Sequence, residues 1–333
     1  MTAVVIDAPG AYRFADGGTS APGALEALVR VHAVGICHSD VDLYRGTSPA
    51  GTAHYPVTPG RAWSGIVERV GPGAPADLVG RKVVGRVVRG CRACDSCRTG
   101  DMYSCEGEQH SPGGIVPGAM AHTLRLPIRL LHTLPDDCDL TAAALLEPAS
   151  RAAAALRLAG TVTGARVAVT GVGAVALLTV RLLASASPRE LAVVAADERL
   201  GDRARRAGAT SFHLLAEPPV GRYDTVIETT GAPATVRTAA ALLRHGGRLV
   251  LTRPGRPDVT GLDPSDLVRR QTQIHTVLDA SPEAWSEAVN VFVTGQIDTR
   301  ALISHELPVG NFETAMNLAV EHGPVDGEVV LLF

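Results

Sequence analysis

Apolar residues recur at two different periods along this 333-residue chain, and the change from one to the other divides it. In the first part, ALVRVHAVGIC (27–37) and SGIVERVG (64–71) alternate apolar and polar positions with glycine punctuation. That period of two predicts β-strands, and GRKVVGRVV (80–88) reads as another. A Gly/Pro-rich loop, HSPGGIVPGAM, follows at 110–120. From about Leu140 the texture changes. TAAALLEPASRAAAALRLAG (141–160) is alanine-rich and predicts helix. Then ARVAVTGVG (165–173) predicts a buried strand, AVALLTVRLLAS (174–185) a helix and ELAVVAAD (190–197) a strand. RLGDRARRAGA (199–209) predicts a helix, YDTVIETTG (223–231) a strand, PATVRTAAALLRHGG (233–247) a helix and RLVLTRPG (248–255) a strand. Strands separated by helices in this rhythm form a parallel, doubly wound sheet, so the class is α/β. The tail (301–333) returns to strand, helix, strand and is expected to fold back onto the first part. The expected domains are a β-rich one at 1–148, completed by about 290–333, and a doubly wound one at 149–289.

Composition narrows the function classes. The chain is 46% hydrophobic with a formal net charge of −3, which gives no electrostatic case for nucleic acid or an anionic membrane. No apolar run of about 18 residues predicts a membrane span. MTAVVIDAPGAYRF lacks a basic segment followed by an apolar one, so no signal peptide is expected, and a cytoplasmic location is. Of six cysteines, four fall between Cys91 and Cys105, which in a cytosolic chain favours metal over disulfides.

Two motifs carry chemistry. Gly171, Gly173 and Ala176 stand in G-x-G-x-x-A spacing between a predicted strand and helix. The first glycine permits the turn, the second admits a pyrophosphate to the backbone, and the small third residue lets helix and strand pack. Asp197 ends the next strand, where a carboxylate accepts hydrogen bonds from ribose hydroxyls and repels a 2′-phosphate. NAD is therefore the expected cofactor. NADP stays open, because Arg199 lies two residues on and could reach a phosphate. Cys91, Cys94, Cys97 and Cys105 form C-x2-C-x2-C-x7-C, the pattern of a closed tetrahedral structural zinc site. Two disulfides or an iron–sulfur cluster are weaker readings of the same spacing.

With GICHSD (35–40), PGRAWSGIVERVG (59–71) and EPAS (147–150), these motifs resemble the medium-chain, zinc-containing alcohol and polyol dehydrogenases over nearly the whole chain. YPVTPG..WSGIV, LVGRKVVG and LISHE are similar to the 2-deoxy-scyllo-inosamine dehydrogenases of aminoglycoside antibiotic biosynthesis. The resemblance implies a GroES-like catalytic domain, a Rossmann domain, and hydride transfer between a secondary alcohol and NAD(P). The expected partners are a small-molecule substrate and further copies of the chain, as a homodimer or homotetramer. The resemblance also implies a catalytic zinc on the cysteine of GICHSD, on a G-H-E triplet, and on the glutamate before proline. Cys37 and Glu147 fit. The triplet here is Gly60-Arg61-Ala62, and that is a departure.

Arginine has no lone pair to give a metal and alanine has no ligand at all, so the catalytic zinc is expected to be lost. Removing a dication leaves Glu147, Asp40 and the Cys37 thiol without a counter-charge, and Arg61 is long enough to supply one. Two readings of Arg61 stand: it also stabilises negative charge on a substrate oxygen, or it only neutralises acids. The resemblance gives Ser39 the role of passing the substrate proton and His38 a contact to the cofactor pyrophosphate. His54 reads as a surface histidine, Cys138 as a core or helix-start cysteine and Trp63 as packing, while His122 and His305 have no assigned role.

The expected function is an atypical NAD(P)-dependent oxidoreductase with one structural zinc. It acts on a cyclitol, aminocyclitol or sugar-like polyol, or the ketone, in specialised biosynthesis. The alternatives are a redox-neutral epimerase or dehydratase, a double-bond reductase, and a non-catalytic cofactor-binding paralogue.

Overall fold

The computed structural model describes residues 2–16, 20–48, 53–88, 90–91, 93–99, 105, 117–255, 262–321 and 327–333. Most of the Gly/Pro-rich loop at 110–120 lies outside them. The chain divides into two compact units, 1–147 with 289–333, and 148–288.

The first unit is built on a seven-stranded sheet around the strand Glu26–Gly35. One edge of that strand pairs antiparallel with Ala62–Val70. Its other edge is shared by Thr123–Pro127 near its start and Glu328–Leu332 near its end. Ile303–Pro308 extends the sheet parallel to Glu328–Leu332, while Lys82–Gly85 and Leu131–Thr133 extend it beyond Ala62–Val70. The last strand of the chain thus completes the first sheet. Trp63, Val29, Val31, Met120, Met316 and Leu331 form the core beneath it. The helix Phe312–Glu321 drives Phe312 into this core, with its ring 4.7 Å from that of Tyr12 and 5.8 Å from that of Tyr44. A hairpin of Thr2–Ala8 and Ala11–Asp16 carries Tyr12. Thr299 also ties the tail inward, its hydroxyl donating to the Ala142 carbonyl at 2.7 Å.

The alanine-rich stretch is two helices, Leu140–Ala143 and Leu146–Ala159. Pro148 explains the break. In one continuous helix its ring would clash with the Ala144 carbonyl and its missing N–H would leave that carbonyl unbonded. Restarting at Leu146 puts the proline in a first turn, where no N–H is needed.

The second unit is a six-stranded parallel sheet in the order Ser211–Leu214, Glu190–Ala195, Arg166–Thr170, Tyr223–Glu228, Leu243–Leu251, Gln273–Thr276. This is the doubly wound order 3-2-1-4-5-6, with its switch point between Arg166–Thr170 and Tyr223–Glu228. The helix Ala174–Ser185 is buried along most of its length, which its nearly all-apolar sequence requires. The helix expected over 233–247 stops at Leu242. Leu243 already pairs with Tyr223, and residues 244–247 then bulge opposite Asp224 before Arg248 resumes pairing with Thr225. Gly246, at φ +70°, makes that bulge possible. Among the described residues, no helix is long and apolar enough to cross a membrane.

Replacing Phe312 by Ala should lower the stability of the first unit by about 3–5 kcal/mol, read from the shift of its denaturant-unfolding midpoint. A cost below about 1 kcal/mol would show that the tail is not integral to that core.

Candidate active site and metal loop

Strand ends and a short helix bring the candidate residues of the first unit together. The helix His38–Arg45 starts at the end of the central strand, with Cys37 at its N-cap. Asp40 is buried, and its two oxygens accept from different segments. One takes the Cys37 amide at 2.8 Å and the other the Gly60 amide at 2.9 Å. Asp40 therefore clamps the GICHSD turn to the Gly60-Arg61-Ala62 turn. Gly60 has φ +104°, and a Cβ there would lie 2.8 Å from the Met120 amide nitrogen, so only glycine fits. Its carbonyl accepts from the Ala119 amide at 2.9 Å.

Arg61 leaves this turn toward Glu147, with its Nη2 3.6 Å from the glutamate Oε1. The Arg61 and Glu147 side chains are 17% and 7% exposed, so this is a largely desolvated pair. Ala62 is fully buried in the strand pairing, opposite Gly35. Burial, reinforced by the charges of Glu147, Asp40 and Glu328, pushes the Cys37 thiol well above its usual range, and Arg61 opposes them only in part. Cys37 is thus a neutral thiol at physiological pH. Burial raises Asp40 to about 6, against the pull of the two amides and Arg61. Ser39 is half-buried and His38 exposed in the first turn of the helix. Trp63 is buried in the core and His54 is exposed. Cys138 is half-buried just before Asp139, which caps the helix Leu140–Ala143. His122 and His305 are half-buried; the His122 ring meets Phe333 edge-on and His305 Nδ1 lies 3.0 Å from the Ser304 hydroxyl.

A catalytic metal does not fit this arrangement. Among the described residues, Cys91, Cys94, Cys97 and Cys105 are the one group of three or more metal-capable side chains whose ligand atoms lie within 4.8 Å of one another. Cys37, Asp40 and Glu147 do not converge in that way. The four sulfurs do fit a structural zinc. Cys91 Sγ lies 3.9 Å from Cys97 Sγ, and Cys94 Sγ 3.9 Å from Cys105 Sγ. Four ligands at about 2.3 Å in a tetrahedron stand about 3.8 Å apart. Backbone amides of Cys94 and Ala93 lower Cys91 to about 6, toward the thiolate a metal requires.

In the second unit, Gly171 turns the chain out of its strand at φ +102°. A Cβ there would lie 2.7 Å from the Thr229 hydroxyl oxygen. Gly173 is the N-cap of the helix Ala174–Ser185, so no side chain there competes for the first-turn N–H groups. Ala176 is fully buried under that turn. These features fit a dinucleotide pyrophosphate. Asp197 follows the next strand and accepts from the Arg199 amide at 2.9 Å and from its Nε at 2.9 and 3.0 Å. Hydrogen bonding from the Arg199 guanidinium holds the Asp197 carboxyl below its usual range. The two candidate ribose-end residues are thus bound to each other.

Two acids escaped the sequence reading. Glu328 adds to the field at Cys37. Glu228, fully buried, ends the strand Tyr223–Glu228. Its signal was an acid closing an apolar run, followed by two threonines and a glycine.

Folding raises the Asp40 pKa, so its contribution to stability is fully present below pH 4 and is lost as pH rises through 6. The stability of the protein relative to Asp40→Asn should fall by about 2 kcal/mol between pH 4 and pH 7, measured by denaturant unfolding. A difference that stays constant with pH would contradict a buried, strained carboxylate.

Comparison with known proteins agrees with both halves. Residues 23–136 match the alcohol dehydrogenase GroES-like domain family. The chain is 26% identical over 306 residues to an L-threonine 3-dehydrogenase of Bacillus velezensis, covering 88% of each. It is 26% identical over 314 residues to a 2-dehydro-3-deoxy-L-galactonate 5-dehydrogenase of Pseudoalteromonas atlantica, covering 91% of each. The fold superposes with a TM-score of 0.89 on a protein of Sinorhizobium meliloti 1021 described as a zinc-binding dehydrogenase and solved bound to NADP. That match is 25% identical and covers 100% of this chain and 99% of the other. The glycine turn in its doubly wound sheet and the four-cysteine loop accompany this likeness, and the chain is similar over most of its length to dehydrogenases that carry an alcohol dehydrogenase GroES-like domain.

Proposed function

We propose that this protein is an NAD(P)-dependent oxidoreductase that exchanges a hydride with a secondary alcohol or its ketone on a polar, polyhydroxylated substrate, without a catalytic zinc. Two relatives named above are dehydrogenases of a hydroxylated amino acid and of a sugar acid, which supports a polar secondary alcohol. The finer choice, a cyclitol or aminocyclitol in specialised biosynthesis, rests on the motifs Tyr55–Gly60, Leu78–Gly85 and Leu302–Glu306. The same reading makes the protein a cytoplasmic homo-oligomer.

The observation that carries the metal-free reading is the Arg61–Glu147 ion pair at 3.6 Å. When bound, the nicotinamide supplies or accepts the hydride. Arg61 contributes a fixed positive charge in a desolvated setting, where it stabilises negative charge developing on the substrate oxygen. Glu147 holds the guanidinium in place. Asp40 fixes both turns that carry the site, and the protonated Cys37 adds no further negative charge. Ser39, half-buried in the first turn of its helix, passes the hydroxyl proton. Asp197 favours NAD by accepting from ribose hydroxyls once Arg199 yields it.

Nicotinamide absorbance with a panel of polyols and ketones tests this. Net NADH change that depends on substrate is expected. Product without net NADH change would point to a redox-neutral epimerase, and silence across the panel to a non-catalytic binder. Arg61→Met should lower turnover by about 10²–10³ with NAD affinity retained. Unchanged turnover per folded molecule would reduce Arg61 to charge balance.

A further inference from the structure

The second unit contains a buried carboxylate that the proposed chemistry leaves unused. Glu228 ends the strand Tyr223–Glu228 and pairs in register with Thr170, the last residue of Arg166–Thr170. These two strands flank the switch point, and in doubly wound sheets the ligand crevice opens beyond the carboxyl ends at that point. Glu228 is 0% exposed, and among the described residues no salt bridge to it is found. Instead it gathers donors from the loop that follows. Its Oε1 accepts from the Thr230 amide at 2.8 Å, the Thr230 hydroxyl at 2.6 Å and the Thr235 hydroxyl at 3.0 Å. Its Oε2 accepts from the Gly231 amide at 3.0 Å, and the Thr170 hydroxyl stands 3.5 Å from Oε1.

Burying a carboxylate is costly unless hydrogen bonds compensate it, and an apolar strand end has no need of one. What this one provides is a fixed conformation for residues 229–232. That loop lies against the glycine turn. The Thr229 hydroxyl donates to the Thr170 carbonyl at 2.7 Å, and a Cβ on Gly171 would meet Thr229 at 2.7 Å and Thr230 at 2.8 Å. The doubly wound fold comprises two mononucleotide-binding halves. The strands before the switch point carry the glycine turn and Asp197, which serve the adenosine half. Glu228 opens the other half.

Resting on the dinucleotide reading above, we infer that Glu228 is a positioning residue for the nicotinamide half of the cofactor. Its carboxylate holds loop 229–232 in the conformation that receives this half, and it touches no reacting atom itself. In Glu228→Gln the side chain keeps its length, but one acceptor oxygen becomes an NH2 group facing donors, so the loop loses its fixed form.

The test titrates the full-length protein with NADH, read by nicotinamide fluorescence, and with ADP, read by calorimetry. The parent should bind both. Glu228→Gln should weaken NADH at least tenfold and leave ADP within about twofold, with the enhanced emission of bound nicotinamide reduced. Thr235→Val removes one donor to the same carboxylate from outside the loop. It should give the same pattern with a several-fold loss, and it carries the test if the glutamine variant does not fold. Equal losses for NADH and ADP would mean that Glu228 only stabilises the unit, and unchanged NADH binding would mean that the loop does not serve the cofactor; either overturns the inference. A parent that binds ADP but not NADH would also overturn it. A parent that binds neither would sink the dinucleotide reading itself.

Discussion

Two buried carboxylates, Asp40 and Glu147, set the terms for the candidate active site. Each must be compensated inside the protein, because a buried charge without partners costs several kcal/mol. The two are served differently. Asp40 is met by backbone amides from two segments twenty residues apart, which makes it a clamp. Glu147 is met by the Arg61 guanidinium. A catalytic zinc at such a site would supply positive charge and also present an open coordination position. A guanidinium supplies charge and directional donors but no coordination site. On the reading proposed above, Gly60-Arg61-Ala62 offers a cation in place of metal ligands, and the chemistry would proceed by charge stabilisation and proton relay.

The second unit is governed by a different constraint, close packing at the switch point. The left-handed Gly171, the uncapped start of the helix Ala174–Ser185 and the loop held by Glu228 meet where two strands diverge in order. The free backbone N–H groups at the helix start are the groups that would bind an anion, and side chains serve chiefly to hold the backbone. Asp197 and Arg199 are the exception, since their mutual ion pair must open before either reads a ribose or a phosphate.

How much could be read beforehand follows from where the information lies. The α/β class and the parallel sheet were legible because each strand and helix of the second unit carries its own period. The helix over 141–160 was overextended, since alanine propensity hides the effect of Pro148 on its partner carbonyl four residues earlier. The helix over 233–247 was overextended because Leu243 is claimed by pairing with Tyr223, a tertiary demand. The hairpin at the N-terminus and the strand Gln273–Thr276 lack an apolar alternation strong enough to read. The four-cysteine group was legible because its members are neighbours in sequence. Asp40 as a clamp and Glu228 as a hub were not, because their partners are backbone amides or hydroxyls that spacing does not reveal.

The metal-free reading proposed above gives the chain one structural metal, held by Cys91, Cys94, Cys97 and Cys105, and an arginine at position 61 in place of a metal-ligating histidine. Metal content measures it most directly. Elemental analysis of protein purified without chelators and supplied with zinc during expression should give one zinc per chain, lost when Cys94 is replaced by Ser and retained in Cys37→Ser. Two zinc ions per chain, with one removed by Cys37→Ser, would contradict the account.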